Sequence, residues 1–225
     1  MSQARSIASQ VQAVIFDMDG LIFDTEPLIR RAVQLAARSV GFDVSDAFYG
    51  SMIGVPGPEF DIQVQRHLGS TFPFSDYRAA YRGEWSRLLQ QDIPIKPGAV
   101  ELLARLRQLR LPLGLATSSG RETAEQHLRL SGLRHHFDVV VTRNDVTRGK
   151  PHPDLFLKAA DELGISPNRC LVLEDSHNGI RAAVAAGCLP VMVPDLLEAT
   201  DEMREVCFAV ASDLNEVKLF FSTEG

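Results

Sequence analysis

The chain has 225 residues, 45% of them hydrophobic and 23% charged, enough for one large domain or one and a half with a real core and unlike a disordered or low-complexity chain. Lys and Arg number 23 against 29 Asp and Glu, a formal charge of −6, so the positive field that nonspecific nucleic-acid binding needs is lacking and no nucleic-acid partner is expected. Cys170, Cys188 and Cys207 lie 18 and 19 residues apart, which matches neither a C-x-x-C redox pair nor a zinc ribbon; reduced, mostly buried thiols are expected.

Residues 1–10 carry one arginine and no apolar run of leader length. The first apolar run, residues 11–16, reads as a strand. Residues 28–92 then read as helices only, at 28–40, 58–68 and 75–89, with Thr25 or Asp24 as a cap and Pro27 in a first turn. From residue 99 the pattern alternates. Leu102, Leu103, Leu106 and Leu109 mark a helix over 99–109, followed by a strand at 111–116, a helix at 121–130, a strand at 139–141, a helix at 154–163 and strands at 170–173 and 189–193. The strand runs do not alternate polar with apolar, which points to a parallel sheet covered on both faces, and the strand–helix succession to an α/β fold.

About 80 residues separate the first strand from the helix near Pro97, far beyond an ordinary connection, so an inserted second domain is expected. The division reads as 1–27 with 93–225 for the α/β domain and 28–92 for the helical one. The longest uncharged stretch, 182–194, has 13 residues and is interrupted by Gly187 and Pro190, short of the ~20 a membrane-spanning helix needs. No membrane association and a cytoplasmic location are expected.

The first strand runs directly into Asp17-Met18-Asp19-Gly20, delivering two carboxylates at the carboxyl end of a parallel strand, where open α/β sheets bind ligands. Alone, Asp and Gly also make ordinary turns. After the second strand, Ala116-Thr117-Ser118-Ser119-Gly120 offers hydroxyls and N–H groups that hold an anion at a helix start or simply cap it. Arg148-Gly149-Lys150-Pro151 sets Lys150 before a proline, which favours an extended conformation. Glu174-Asp175-Ser176 ends a further strand with an acidic pair or a capping turn. Together these supply a carboxylate nucleophile, a second carboxylate, hydroxyl donors, a cation and acidic metal ligands, the parts that phosphoryl transfer requires.

The four motifs, in this order, resemble the haloacid dehalogenase-like superfamily over nearly the whole chain, with 28–92 placed like its helical cap. The wording of residues 19–27 and 149–154 looks like the β-phosphoglucomutase and sugar-phosphate phosphatase branch. The resemblance implies a Rossmann-like parallel-sheet core with an inserted all-helical cap, and a phosphoric monoester hydrolase. It makes Asp17 the nucleophile of an aspartyl-phosphate pathway and Asp19 the general acid and base. Thr117, Ser118 and Lys150 become the phosphate-binding groups. Mg²⁺ is the implied cofactor, held by the Asp17 side chain, the Asp19 carbonyl and Asp175, with Glu174 bound directly or through water. No His/Cys cluster supports zinc.

Departures from neighbouring branches narrow the expectation. A dehalogenase lacks the second motif aspartate, and the phosphonate hydrolases of this family use a cap lysine, whereas Lys96, Lys150, Lys158 and Lys218 all lie outside 28–92. A β-phosphoglucomutase uses a cap-entry histidine, a cap arginine and a cap lysine; here Ile29, the loop 54–58 and no lysine stand in those places. The expected activity is therefore hydrolysis of a small phosphorylated metabolite, a sugar phosphate or related polyol or nucleoside 5′-phosphate, by a monomer. A phosphomutase and a non-catalytic phospho-ligand binder are the alternatives. Tyr49, Tyr77, Tyr81 and Trp85 either stack on a substrate ring or form the cap's own core. The loop 54–58 is expected to face substrate, and Gly20, Pro94 and Pro97 to act as hinges. His152 and His177 are expected to play no catalytic part, and His67, His127, His135 and His136 to lie on the surface.

Overall fold

The computed structural model describes residues 10–53, 55, 57–91 and 93–222. Residues 1–9, 54 and 56 lie outside the described residues, and so does the expectation that the loop 54–58 faces substrate. The chain falls into two compact units, Met1–Asp24 with Pro94–Gly225, and Thr25–Ile93.

The first unit is built on six parallel strands: β1 (Ala13–Phe16), β2 (Leu113–Ala116), β3 (Val139–Val141), β4 (Cys170–Glu174), β5 (Leu189–Met192) and β6 (Ala209–Val210). Their order is β3-β2-β1-β4-β5-β6. Every residue of β1, β2 and β4 is buried, as the unbroken apolar runs require of strands covered on both faces. Each fully buried Leu, Ile or Phe there contributes about 1.5–3 kcal/mol. Chain order runs outward to β3 on one side of β1 and to β6 on the other, so the crevice of this α/β sheet opens beyond the carboxyl ends of β1, β2 and β4. Register places Phe16 level with Leu115 and Leu173; the residues that follow the three strands therefore meet.

The second unit is helical: α1 (Glu26–Ser39), α2 (Asp46–Gly50), α3 (Gly57–Leu68) and α4 (Phe74–Gln91). Ala32, Val33, Ala36 and Ala37 form the buried stripe of α1. Helix α1 starts at Glu26, two residues before its apolar periodicity begins. Thr25 occupies the N-cap position, but its side chain makes no capping bond. The short α2 escapes sequence reading because a single turn shows no period; Ser45 caps it by accepting from the Phe48 N–H at 3.1 Å.

In the first unit, α5 (Ala99–Gln108), α6 (Arg121–Leu130), α7 (Asp154–Leu163), α8 (His177–Ala185), α9 (Asp201–Val206) and α10 (Leu214–Leu219) follow the strands. Helices α7 and α8 cover one sheet face in a cluster containing Ile15, Val172, Phe156 and Ala183. Beyond residue 193 the sequence shows no element, yet β6, α9 and α10 form there. They are too short for a periodic signal and are tied down by tertiary bonds such as Arg105 to the Phe221 carbonyl, 2.9 and 3.1 Å. Cys170 and Cys188 are buried, Cys207 is half-buried, and all three are free thiols. No described helix is long and apolar enough to cross a membrane.

Candidate active site

Asp17 follows β1 directly, and its N–H donates to the Leu173 carbonyl at 3.0 Å, extending the β1–β4 ladder one step and setting Asp17 beside Glu174. The chain then folds into a tight turn. The Ile22 and Phe23 N–H groups both donate to the Met18 carbonyl at 3.0 Å, and the Gly20 N–H to the Phe23 carbonyl at 2.9 Å. Gly20 has φ +87°, and a Cβ there would overlap the Asp175 carboxylate. Both its conformation and the space exclude a side chain.

Lys150 reaches this point from a turn after β3, ahead of a cis peptide to Pro151. Its Nζ donates to Asp17 Oδ1, to Glu174 Oε1 at 2.6 Å and to the Ala116 carbonyl at 3.0 Å, and lies 4.9 Å from the centre of the Phe156 ring. The side chains of Lys150, Asp17 and Glu174 are only 5%, 9% and 1% exposed. Burial works against the ammonium charge, but Asp17 and Glu174 outweigh it and hold Lys150 above the ordinary lysine value. Burial, with Glu174 and Asp19 adding to it, raises Asp17 to about 7 even though Lys150 pulls the other way. Asp175 is likewise raised, first by burial and then by Glu174 and Asp17.

Glu174 spends its second oxygen on the Ser176 N–H and hydroxyl, both at 2.9 Å, and Ser176 in turn caps α8 by accepting from the Gly179 N–H at 3.0 Å. A Cβ on Gly179 would stand inside the Glu174 carboxylate. The glycine lets that carboxylate lie against the start of the helix.

After β2, the Thr117 N–H donates to the Val141 carbonyl at 3.0 Å, and the Thr117 hydroxyl accepts from the Ser119 N–H at 2.9 Å. Thr117 is buried and Ser118 exposed. Ser119 donates its hydroxyl to Asp19 Oδ2 at 2.7 Å. Asn144 accepts from the Arg121 N–H at 2.9 Å, fixing the start of α6.

A family model for haloacid dehalogenase-like hydrolases matches residues 11–187. The chain belongs to this family. A phosphorylated carbohydrates phosphatase of Thermotoga maritima is 33% identical over 177 residues, 79% of this chain and 82% of the relative. Among solved structures, one from Thermotoga maritima whose description assigns it to β-phosphoglucomutase has TM-score 0.82 and 31% identity, covering 92% of this chain and 99% of its own. CbbY from Rhodobacter sphaeroides in complex with phosphate has TM-score 0.77 and 28% identity, covering 92% and 96%.

Of the residues singled out in this haloacid dehalogenase-like chain, Asp17, Lys150 and Glu174 are in direct contact, Asp175 lies against the Gly20 turn, and Asp19 is bonded to the loop after β2. His152 is exposed, and His177 bonds the Glu198 carbonyl at 2.9 Å. His67 and His135 are exposed as expected. His127 is a correction: it has no exposed surface, and its Nδ1 stands 3.7 Å from Asp19 Oδ1. Ala124, His127 and Leu128 share the inward face of α6, and this i, i+3, i+4 spacing was the available signal. His136, also expected on the surface, is half-buried where the 3₁₀ turn Arg134–His136 leads the chain back into β3.

The donor set suits a hard cation. Lys150 meets Asp17 and Glu174, with Asp19 near Asp17 and Asp175 near Glu174; burial first, and the neighbouring carboxylates after it, raise Asp17 and Asp175 despite Lys150. Among the described residues no three His, Cys, Asp or Glu side chains converge on one point. Two carboxylates and a carbonyl are enough for Mg²⁺, which keeps several of its waters.

The helical unit contains a cavity of about 560 Å³ whose walls include Ile29, Met52 and Phe60, with Tyr49 and Tyr81 and the carboxylate of Glu26. Tyr49 and Tyr77 also belong to the unit's buried cluster, with Phe72 5.1 Å from Tyr77 between ring centres. These aromatics thus both form the core of the unit and line its cavity.

Proposed function

We propose that this chain is a Mg²⁺-dependent phosphatase that hydrolyses a small phosphorylated metabolite, a sugar phosphate or related polyol or nucleoside 5′-phosphate, through an aspartyl-phosphate on Asp17. The β-sheet unit is the catalytic domain and residues 25–93 are its cap. The observation that carries this reading is the buried Asp17–Lys150–Glu174 contact at the carboxyl end of the central strand, with Asp175 beside it. The likeness to a phosphorylated carbohydrates phosphatase supports the reaction class.

Asp17 attacks phosphorus with a carboxylate oxygen, its orientation fixed by the Lys150 bond to Oδ1. As the bond from phosphorus to the ester oxygen breaks, the Asp19 carboxyl gives its proton to the departing alcohol. Asp19, now a carboxylate, takes a proton from the water that attacks the intermediate, the bond from Asp17 to phosphorus breaks, and phosphate leaves. Thr117 and the Ser118 N–H donate to the phosphate oxygens, and Lys150 offsets their charge. Asp17, the Asp19 carbonyl and Asp175 would hold Mg²⁺, which would screen the repulsion between carboxylate and phosphate. Glu174 acts mainly by anchoring Lys150, since its two oxygens are taken by Lys150 and Ser176. The helical unit has a cavity of its own, in the size range of small-molecule sites.

The test is phosphate release from a panel of phosphorylated metabolites, with Mg²⁺ and with EDTA. Release that requires Mg²⁺ and disappears in Asp17→Asn is expected. Undiminished release by that variant would overturn the mechanism. Isomerised sugar phosphate formed only with a bisphosphate activator would establish a mutase instead, and ligand stabilisation without any turnover a binding protein.

A further inference from the structure

We infer that Ser119 and His127 are positioning residues for Asp19, holding the carboxyl that protonates the leaving alcohol; the inference rests on the phosphatase reading above. Asp19 is nearly a third exposed, and a carboxyl on the open side of a site loses reactive geometry unless its rotamer is held. Two groups from a single segment meet it. The Ser119 hydroxyl holds it by donating to Oδ2 at 2.7 Å, and the His127 ring packs beside it, with Nδ1 3.7 Å from Oδ1.

Both groups are themselves fixed. Ser119 is bonded through its N–H to the Thr117 hydroxyl at 2.9 Å, and its carbonyl accepts from the Arg143 N–H at 3.0 Å. His127 is fully buried two turns into α6, and its ring meets Phe23 edge-on, 5.6 Å between centres at 86°. Phe23 closes the turn that carries Asp19, through its N–H to Met18 and its carbonyl to Gly20. The imidazole thus packs against both the carboxyl and the turn beneath it, and limits the room for other rotamers. The segment that begins with Thr117 and Ser118 also sets the acid, so the phosphate-binding loop and the proton donor are joined through Ser119.

The readout is dependence on the leaving group. An alcohol needs a proton to depart, and p-nitrophenol does not, so a misplaced acid slows alkyl esters selectively. The comparison uses kcat/KM, which reports the steps up to release of the alcohol, for p-nitrophenyl phosphate and for the most active alkyl ester among the phosphorylated metabolites tested. Ser119→Ala is expected to lose about tenfold or more on the alkyl ester, part of the 10²–10⁴ a general acid supplies, and under about threefold on the aryl ester. Ser119→Thr, which keeps the hydroxyl, restores the alkyl rate, and His127→Phe shows the same selective loss as Ser119→Ala. Ser119 is half-exposed, so its variants fold whether or not the His127 variant does. Equal losses on both esters, or no loss on either, would overturn the inference. Asp19→Ala separates the two levels: if it too lacks selectivity, the acid assignment itself fails and the inference falls with it. If it is selective while Ser119→Ala is not, the inference alone fails.

Discussion

Asp17 is where activity and stability pull apart, and Asp17→Asn measures the conflict. In the folded chain this carboxyl is raised from 3.8 to about 7, chiefly by burial. Between those two values the folded state keeps a proton that the unfolded chain releases, so each step up in pH favours unfolding. Three decades at 1.36 kcal/mol each give about 4 kcal/mol lost by neutral pH, an upper bound because Glu174 and Asp19 share the field. Asparagine has nearly the same shape and no charge to bury, and Lys150 retains Glu174 and the Ala116 carbonyl. At about 2–4 °C per kcal/mol for a chain of this size, the variant should melt above the wild type at pH 8 in EDTA, by up to about 8–16 °C. The gap should close as the pH falls below 3.8, where the carboxyl is protonated in both states. Millimolar Mg²⁺ should narrow it by stabilising the wild type. Thermal unfolding followed by circular dichroism across this pH range, with and without Mg²⁺, is the assay. An Asp17→Asn protein that melts at or below the wild type at pH 8 in EDTA would refute the claim that burial costs the Asp17 charge more than Lys150 returns.

Three further substitutions probe the same site from other sides. Lys150→Met leaves Asp17 and Glu174 facing each other without their cation and should cost about 3–5 kcal/mol in urea unfolding, together with turnover. Gly20→Ala places a side chain at φ +87° and into the Asp175 carboxylate; the left-handed conformation alone costs about 1–2 kcal/mol, and the Mg²⁺ needed for half-maximal activity should rise. Gly179→Ala should lower the urea midpoint, although alanine in a helix is ordinarily favoured over glycine by about 1 kcal/mol, because its Cβ displaces Glu174. A raised midpoint for Gly179→Ala would show that Glu174 has room to move.

The α/β class was readable because a parallel strand covered on both faces needs nothing but apolar residues, and β1, β2 and β4 up to Leu173 are runs without polar side chains. Helices α6 and α7 were equally legible, since ten residues suffice to display the helical period. Asp17, Lys150 and Glu174 stood out because each follows or lies near a strand end, where turn chemistry is visible locally. Which of them touch was not legible. Lys150 and Asp17 are 133 residues apart, and their meeting depends on β1 lying between β2 and β4, a choice made by packing of the whole sheet. The buried state of His127 was likewise decided by the face that α6 turns inward, and the Ser119 bond to Asp19 by the closeness of two loops. Residue types and their spacing determined the inventory of the site. Only the strand order and register determined the contacts, because a local pattern records what each segment buries and not against whom.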